Sequence, residues 1–283
     1  MRELAYYNGR WGAPEDISVP FNDRSHFFGD GVYDATIAGN HKVYLLEDHL
    51  DRFYSSAAEL QINIPMEKAA LGDLISELTE KTEGDTHFVY WQVTRGTAPR
   101  YHAFADDMPG NISVYIKAED APGRTVPAPV SCITHPDTRF EHCNIKTLNL
   151  IPSVMAYQKA KKAGTCEAIL HRDGVVTECA HSNVSILKDG YFISHPNDNF
   201  ILRGIGKTQL IKACYRTSVQ VMERPFTLDE LFEADEVIVT ASSVFCQPVN
   251  VIDGVKVGGR DPATLHKIGK VVFDDYWRFA DGK

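Results

Sequence analysis

Long apolar runs are missing from this 283-residue sequence: no stretch of about 18 apolar residues occurs, so no membrane-spanning helix is expected. The opening MRELAYYNGRWG lacks the apolar core of a signal peptide, and the expectation is a cytoplasmic protein. Positive charge is also short. Lys and Arg total 29 against 38 Asp and Glu, a formal net charge of -9, which argues against a nucleic-acid partner gripped through its phosphates. A small anionic ligand stays open, because a local basic pocket can exist on an acidic protein. The six cysteines (Cys132, Cys143, Cys166, Cys179, Cys214 and Cys246) form no C-x-x-C pair, so reduced, mostly buried thiols are expected. Eleven histidines show neither H-x-x-x-H nor H-E-x-x-H spacing, which argues against a zinc site. Repeats and low-complexity segments are absent as well.

What is present reads as an ordinary globular chain, 43% hydrophobic and 24% charged, long enough for one large domain or two modest ones. LAYYN followed by Gly9 reads as a short strand into a turn. DGVYDATIAGNHKVYLL alternates into a hairpin with its turn near Gly39-Asn40. Leu46, Leu50, Phe53, Ala57 and Leu60 recur at helical spacing, and MEKAALGDLISELTEKT is a second amphipathic helix. HFVYWQVTRGT and NISVYIKAE read as strands. EDAPGRTVPAP then packs three prolines and a glycine together, which reads as a linker. Beyond it come the strand VSCITH, the helix PSVMAYQKAKKAG closed by Gly164, and the Asp-Gly hairpins EAILHRDGVVTEC and NVSILKDGYFISHP. The helix GKTQLIKACYRT, the strand ADEVIVTASS, the hairpin VNVIDGVKVGG and a closing helix complete the chain. The plan is α+β: residues 1–119 as one domain, 120–128 as linker, 129–283 as a second domain.

Several polar residues stand where chemistry is conceivable. Lys146 lies between Ile145 and Leu148 in FEHCNIKTLNL; it reads as a strand-edge lysine with its ammonium at the surface, or as a desolvated amine able to form a Schiff base. Glu178 ends the strand VVTE, where a carboxylate is solvated, caps a turn, or partners a pyridine nitrogen. In LRGIGKTQL, Gly204 and Gly206 precede a helix, as a plain loop or as an anion nest, and TASS adds hydroxyls at a strand end. Arg52 neighbours Phe53 on an apolar helical face, either exposed or paired with Asp48. TRGTAPRYH brings Arg95, Arg100 and His102 into one loop, a solvated basic segment or a carboxylate grip. Tyr33 follows a glycine turn, a place commoner for a core tyrosine than for a site residue.

Taken together, FGDGVY, DRFYSSAAEL, WQVTRGTAPRYH, IKTLNL, EAILHRDGVVTE and SNV resemble, in order and spacing, the fold type IV pyridoxal-phosphate enzymes. Within that fold the likeness is greatest to the D-amino acid aminotransferases. It implies a small N-terminal α/β domain and a larger, β-barrel-like C-terminal domain. It further implies ping-pong transamination between D-amino acids (the D-alanine, D-glutamate and D-aspartate class) and 2-oxo acids. By the resemblance, Lys146 carries pyridoxal 5'-phosphate and moves the proton, and Glu178 pairs with the ring nitrogen. Arg52, the N–H groups of Ile205 and Gly206, and the Ser242 hydroxyl bind the phosphate. Tyr33, Arg100 and His102 match a substrate-carboxylate trap whose arginine and histidine reach in from the neighbouring subunit, which implies a homodimer. Two departures stand out. Gly206 replaces a threonine of the phosphate loop, and Cys179-Ala180-His181-Ser182 replaces a run of small serines, which brings in a bulkier, titratable ring. Branched-chain L-amino acid or (R)-amine transaminases and aminodeoxychorismate lyase share the cofactor residues and are the rival readings.

Overall fold

Two-residue loops set the register of much of the chain. Asn8-Gly9, Asn40-His41, Asp173-Gly174, Asp189-Gly190 and Asp253-Gly254 each hold both residues at positive φ, between 43° and 91°. That is the geometry of the type I′ turn, whose twist matches that of the flanking strands. A computed structural model describes residues 1–283. They divide into two units: Met1–Pro122 with Ile145–Asn149 and Arg278–Lys283, and Gly123–Asn144 with Leu150–Trp277.

The first unit runs β1 (Glu3–Tyr7), β2 (Arg10–Gly12), α1 (Arg24–Phe28), β3 (Gly31–Gly39), β4 (Lys42–Val43), α2 (Leu46–Glu59), α3 (Lys68–Lys81), β5 (Thr86–Thr94) and β6 (Asn111–Ala118). Its six strands form one antiparallel sheet in the order β2-β1-β6-β5-β3-β4. The apolar stripes of α2 and α3 (Leu50, Phe53, Ala57, Leu71, Ile75, Leu78) form one core with Val32, Val89, Trp91, Val93, Val114 and Ile116. Strand period places Val32, Asp34 and Thr36 on one face of β3, all buried, and Tyr33 and Ala35 on the other, half-buried. A carboxylate therefore sits on the buried face. The inserted segment Ile145–Asn149 pairs with the start of β3: Tyr33 N donates to Lys146 O at 2.9 Å and Leu148 N to Gly31 O at 3.0 Å. Gly31 is required there, since a Cβ would lie 2.6 Å from Val93 O and 2.7 Å from Leu148 Cδ1.

The second unit runs β7 (Val130–Pro136), α4 (Ile151–Lys162), β8 (Glu167–Arg172), β9 (Val175–Cys179), β10 (Asn183–Lys188), β11 (Tyr191–Ser194), α5 (Ile205–Arg216), β12 (Gln220–Glu223), β13 (Phe226–Thr227), α6 (Leu228–Phe232), β14 (Glu236–Thr240), β15 (Gln247–Ile252), β16 (Val255–Lys256) and α7 (Pro262–Asp281), the last four residues of which, from Arg278, belong to the first unit. Nine strands line up as β12-β11-β10-β14-β15-β7-β8-β9-β13, with β16 paired to β15. The pairs β11/β12, β15/β7 and β7/β8 are parallel and the rest antiparallel. Ile169, Val176, Val184, Ile186, Val237, Val239 and Val249 fill its core. The α+β fold class read from the sequence stands, and residues 119–129, which include the expected linker 120–128, carry no helix or strand.

Candidate active site

In the first unit, Lys146 is held by its backbone: its N–H donates to Ser56 Oγ at 3.2 Å and its carbonyl accepts from Tyr33. Ile145 and Thr147 are buried while Lys146 itself is half-buried. Its Nζ lies 4.3 Å from the centre of the Tyr33 ring. The setting thus differs from an apolar pocket, because the amine rests on an aromatic face. Tyr33 in turn stacks on Tyr90, with ring centres 5.4 Å apart.

Arg52 is neither exposed nor paired with Asp48. Its guanidinium grips the buried Asp34 from two directions, Nε to Oδ2 at 2.8 Å and Nη2 to Oδ1 at 2.7 Å. His49 Nδ1 lies 2.7 Å from the same Oδ1, one turn earlier on α2. Burial alone would push the Asp34 carboxyl up; the Arg52 charge and the His49 hydrogen bond outweigh it and hold the carboxyl well below the usual carboxylate range. Burial also lowers His49, against the pull of Asp34 and with the help of the Arg52 and Lys146 charges. Sequence reasoning found Arg52 and missed its partners. The available signal was Asp34 itself, a charge in register with Val32 on the buried face of β3.

Arg100 and His102 lie on the exposed loop after β5 and gather at one ring: the Arg100 guanidinium carbon is 5.3 Å from the centre of Phe28, and the His102 ring 5.2 Å from it. Within one chain Tyr33 makes no hydrogen bond or ring contact with either.

In the second unit, Glu178 is buried at the end of β9, which removes the solvated reading. Arg139 Nη1 donates to its Oε1, while Asn183 Nδ2 (2.8 Å) and Leu202 N (3.1 Å) donate to its Oε2. Arg139 also binds Asp137, through Nη2 to Oδ2 at 2.8 Å and Nε to Oδ1 at 2.9 Å. Despite burial, the hydrogen bonds and charge of Arg139 bring the Asp137 carboxyl down to about 2. The guanidinium is shifted up, since Glu178 and Asp137 outweigh its desolvation. Asp137, Arg139 and Asn183 were not singled out from the sequence. Their common clue is the short D-x-R in HPDTRF and an asparagine five residues after Glu178.

The start of α5 adjoins this carboxylate. Asn183 Nδ2 also bonds Leu202 O at 3.1 Å, and a Cβ on Gly204 would fall 1.7 Å from Asn183 Oδ1. Gly204 caps α5 without any side-chain hydrogen bond, so the first-turn N–H groups of Ile205 and Gly206 start the helix without a side-chain acceptor from the cap. A Cβ on Gly206 would lie 2.7 Å from Thr240 Oγ1 and 2.9 Å from Ala241 O, so the segment bearing Ser242 packs directly on this helix start. Any side chain at 206 would force Thr240 or Ala241 to shift. His181, the other departure, is exposed; its Nδ1 lies 2.5 Å from Oε2 of the buried Glu167, and its ring meets Tyr157 edge-on at 4.7 Å.

In the second unit Glu178 is thus bonded to the chain just before α5, and Gly206 of α5 packs on Thr240 and Ala241 next to Ser242; in the first, Lys146 lies on Tyr33 and Arg52 on Asp34. An uncapped helix start of tight glycines suits a phosphate, a half-buried primary amine suits an aldehyde, and a buried, hydrogen-bonded carboxylate suits a protonated ring nitrogen. The donor set fits pyridoxal phosphate. No group of three or more His, Cys, Asp or Glu side chains is placed to hold a metal ion, and no helix is long and apolar enough to cross a membrane.

The model of the family described as amino-transferase class IV matches residues 31–252. A D-alanine aminotransferase of Listeria monocytogenes serotype 1/2a (strain 10403S) is 40% identical over 260 residues, covering 89% of this chain and 90% of that one. A D-alanine aminotransferase of Bacillus licheniformis is 37% identical over 261 residues, covering 92% of each. Among solved structures, a branched-chain aminotransferase from Thermoproteus uzoniensis superposes with a TM-score of 0.85 at 22% identity, covering 99% of this chain and 95% of that one, a likeness of fold.

Proposed function

The chain belongs to the class IV aminotransferases, and from that premise we propose that it exchanges the amino group between D-amino acids and 2-oxo acids with pyridoxal phosphate as cofactor. The observation that carries this reading is identity of 37 to 40% to D-alanine aminotransferases over about nine-tenths of both chains. Bound pyridoxal phosphate supplies an electron-accepting ring that stabilises charge developing at the substrate Cα. Lys146 would hold the cofactor through its Nζ, and that amine would carry a proton between the substrate Cα and the cofactor C4′. Glu178, kept in place by Arg139, Asn183 and the Leu202 N–H, accepts from the ring nitrogen. Ile205, Gly206, Ser242 and Arg52 hold the phosphate, with Asp34 and His49 fixing the Arg52 guanidinium. Tyr33, Arg100 and His102 bind the substrate carboxylate, the last two from the second copy of a homodimer.

Exposed apolar side chains support self-association: Phe21 (85%) and Tyr101 (70%) in the first unit, Ile151 (73%), Val154 (55%) and Met155 (57%) along α4 in the second. Burying such groups against a like surface is favourable at roughly 25 cal/mol per Å². Six free cysteines accord with a reducing cytoplasm.

A spectrophotometric half-reaction panel tests the reading. D-alanine, D-glutamate and D-aspartate should discharge the cofactor absorbance, their L-enantiomers should not, and 2-oxoglutarate or pyruvate should restore it. Pyruvate release from aminodeoxychorismate without amine exchange between D-alanine and 2-oxoglutarate would replace it with the lyase.

A further inference from the structure

The loop that presents Arg100 and His102 has neither helix nor strand of its own, and residues 100–103 are exposed. Over residues 101–103 its backbone is nevertheless tied by a single side chain. Arg24, the first residue of α1, is 3% exposed, and its guanidinium faces three consecutive carbonyls of that loop. Nη1 donates to Tyr101 O at 2.6 Å and, more weakly, to Ala103 O at 3.5 Å; Nη2 donates to His102 O at 3.3 Å. Nε is held by Asp30 Oδ2 at 2.8 Å.

The base of this clamp is rigid. Arg24 N bonds Gly96 O at 2.9 Å. Asp23 caps α1 by accepting from Ser25 N, and its other oxygen accepts from Thr94 Oγ1 and Asn111 Nδ2, each at 2.8 Å. Arg95 binds Asp30 from the opposite side, at 2.9 and 3.0 Å, and stacks 3.6 Å from the Phe104 ring centre. Phe28, the ring on which Arg100 and His102 rest, also lies 4.9 Å from the Arg24 guanidinium carbon. A planar fork with five donors holds several carbonyls in fixed directions, whereas an ammonium offers three rotatable donors on a flexible stem.

We infer that Arg24 is a positioning residue for the substrate-carboxylate site: by holding the carbonyls of residues 101–103 it aims Arg100 and His102. The inference rests on the carboxylate-binding role proposed above for those two residues. It concerns affinity and not chemistry, so its signature lies in KM.

The test compares Arg24→Met in the parent and in an Arg100→Ala/His102→Ala background. In the parent, KM for D-alanine and for 2-oxoglutarate should rise about 10- to 100-fold, the range for a lost charge-assisted hydrogen bond, with kcat and cofactor absorbance unchanged. In the double-alanine background Arg24→Met should add nothing. Should Arg24→Met fail to fold, Arg24→Lys, which retains the charge beside Asp30 but not the fork, should give the same KM rise. An unmoved KM in the Arg24 variants, while Arg100→Ala raises it, would end this inference and leave the carboxylate reading standing. An equal rise in both backgrounds would reduce Arg24 to a general structural role and overturn the inference too. Were Arg100→Ala/His102→Ala itself to leave KM unmoved, the carboxylate reading would fall and this inference with it.

Discussion

Replacing Asp34 with asparagine keeps the shape and one acceptor oxygen but removes the charge that Arg52 faces. The Arg52 side chain is 6% exposed and that of Asp34 is fully buried, so the guanidinium left behind cannot recover solvation from water. Breaking a buried pair from one side costs about 3–5 kcal/mol. At about 2–4 °C per kcal/mol for a chain of this size, Tm should fall by about 6–20 °C. The pH dependence gives a second check. The folded Asp34 carboxyl is depressed, so its stabilisation is present above the unfolded value of about 3.9 and is lost as pH falls through the lower folded value. His49 is depressed too, so the unfolded chain takes up its proton first, and stability declines once pH drops below about 6.5. Thermal melts by circular dichroism between neutral and acid pH should therefore show the Asp34→Asn gap constant near neutrality and narrowing below about pH 4. A variant melting within about 2 °C of the parent at neutral pH would refute the view that this pair anchors α2 to β3.

Arg139→Met should remove the cation that the buried Glu178 and Asp137 share and cost about 3–5 kcal/mol in urea unfolding; an unchanged midpoint would show that Asn183 and Leu202 suffice for Glu178, and Arg172 and Thr177 for Asp137. Gly206→Thr should cost about 1–3 kcal/mol through overpacking on Thr240 and Ala241 and weaken pyridoxal phosphate binding in a titration; tighter binding would show that the helix start yields. Arg100→Ala should raise KM for carboxylate substrates by an amount equivalent to about 2–5 kcal/mol, with cofactor affinity intact; equal losses in both would reassign the residue.

Local chemistry made much of the fold legible in the sequence. Asp-Gly and Asn-Gly pairs announced hairpins because they accept positive φ, and apolar periodicity announced α2 and α3. Helix α1 escaped because five residues carry no period, although it places Arg24. Strand order in the ten-stranded sheet escaped as well. The parallel neighbours of β7 are β8, across α4, and β15, more than a hundred residues away, and no local signal encodes such pairing. Within the site, the residues that were named came from a pattern spread over both halves of the chain. Their partners did not, because Asp34 reaches Arg52 across 18 positions and Arg139 reaches Glu178 across 39, through contacts that exist only after folding.

The proposed function requires that Lys146 carry the cofactor. Reducing the holoenzyme with borohydride, digesting it and mapping the pyridoxyl group by mass spectrometry addresses that claim directly. One labelled peptide is expected, with the group on Lys146 Nζ, and no label in Lys146→Ala. A pyridoxyl group on any other lysine, or none in protein that exchanges amine between D-alanine and 2-oxoglutarate, would contradict it.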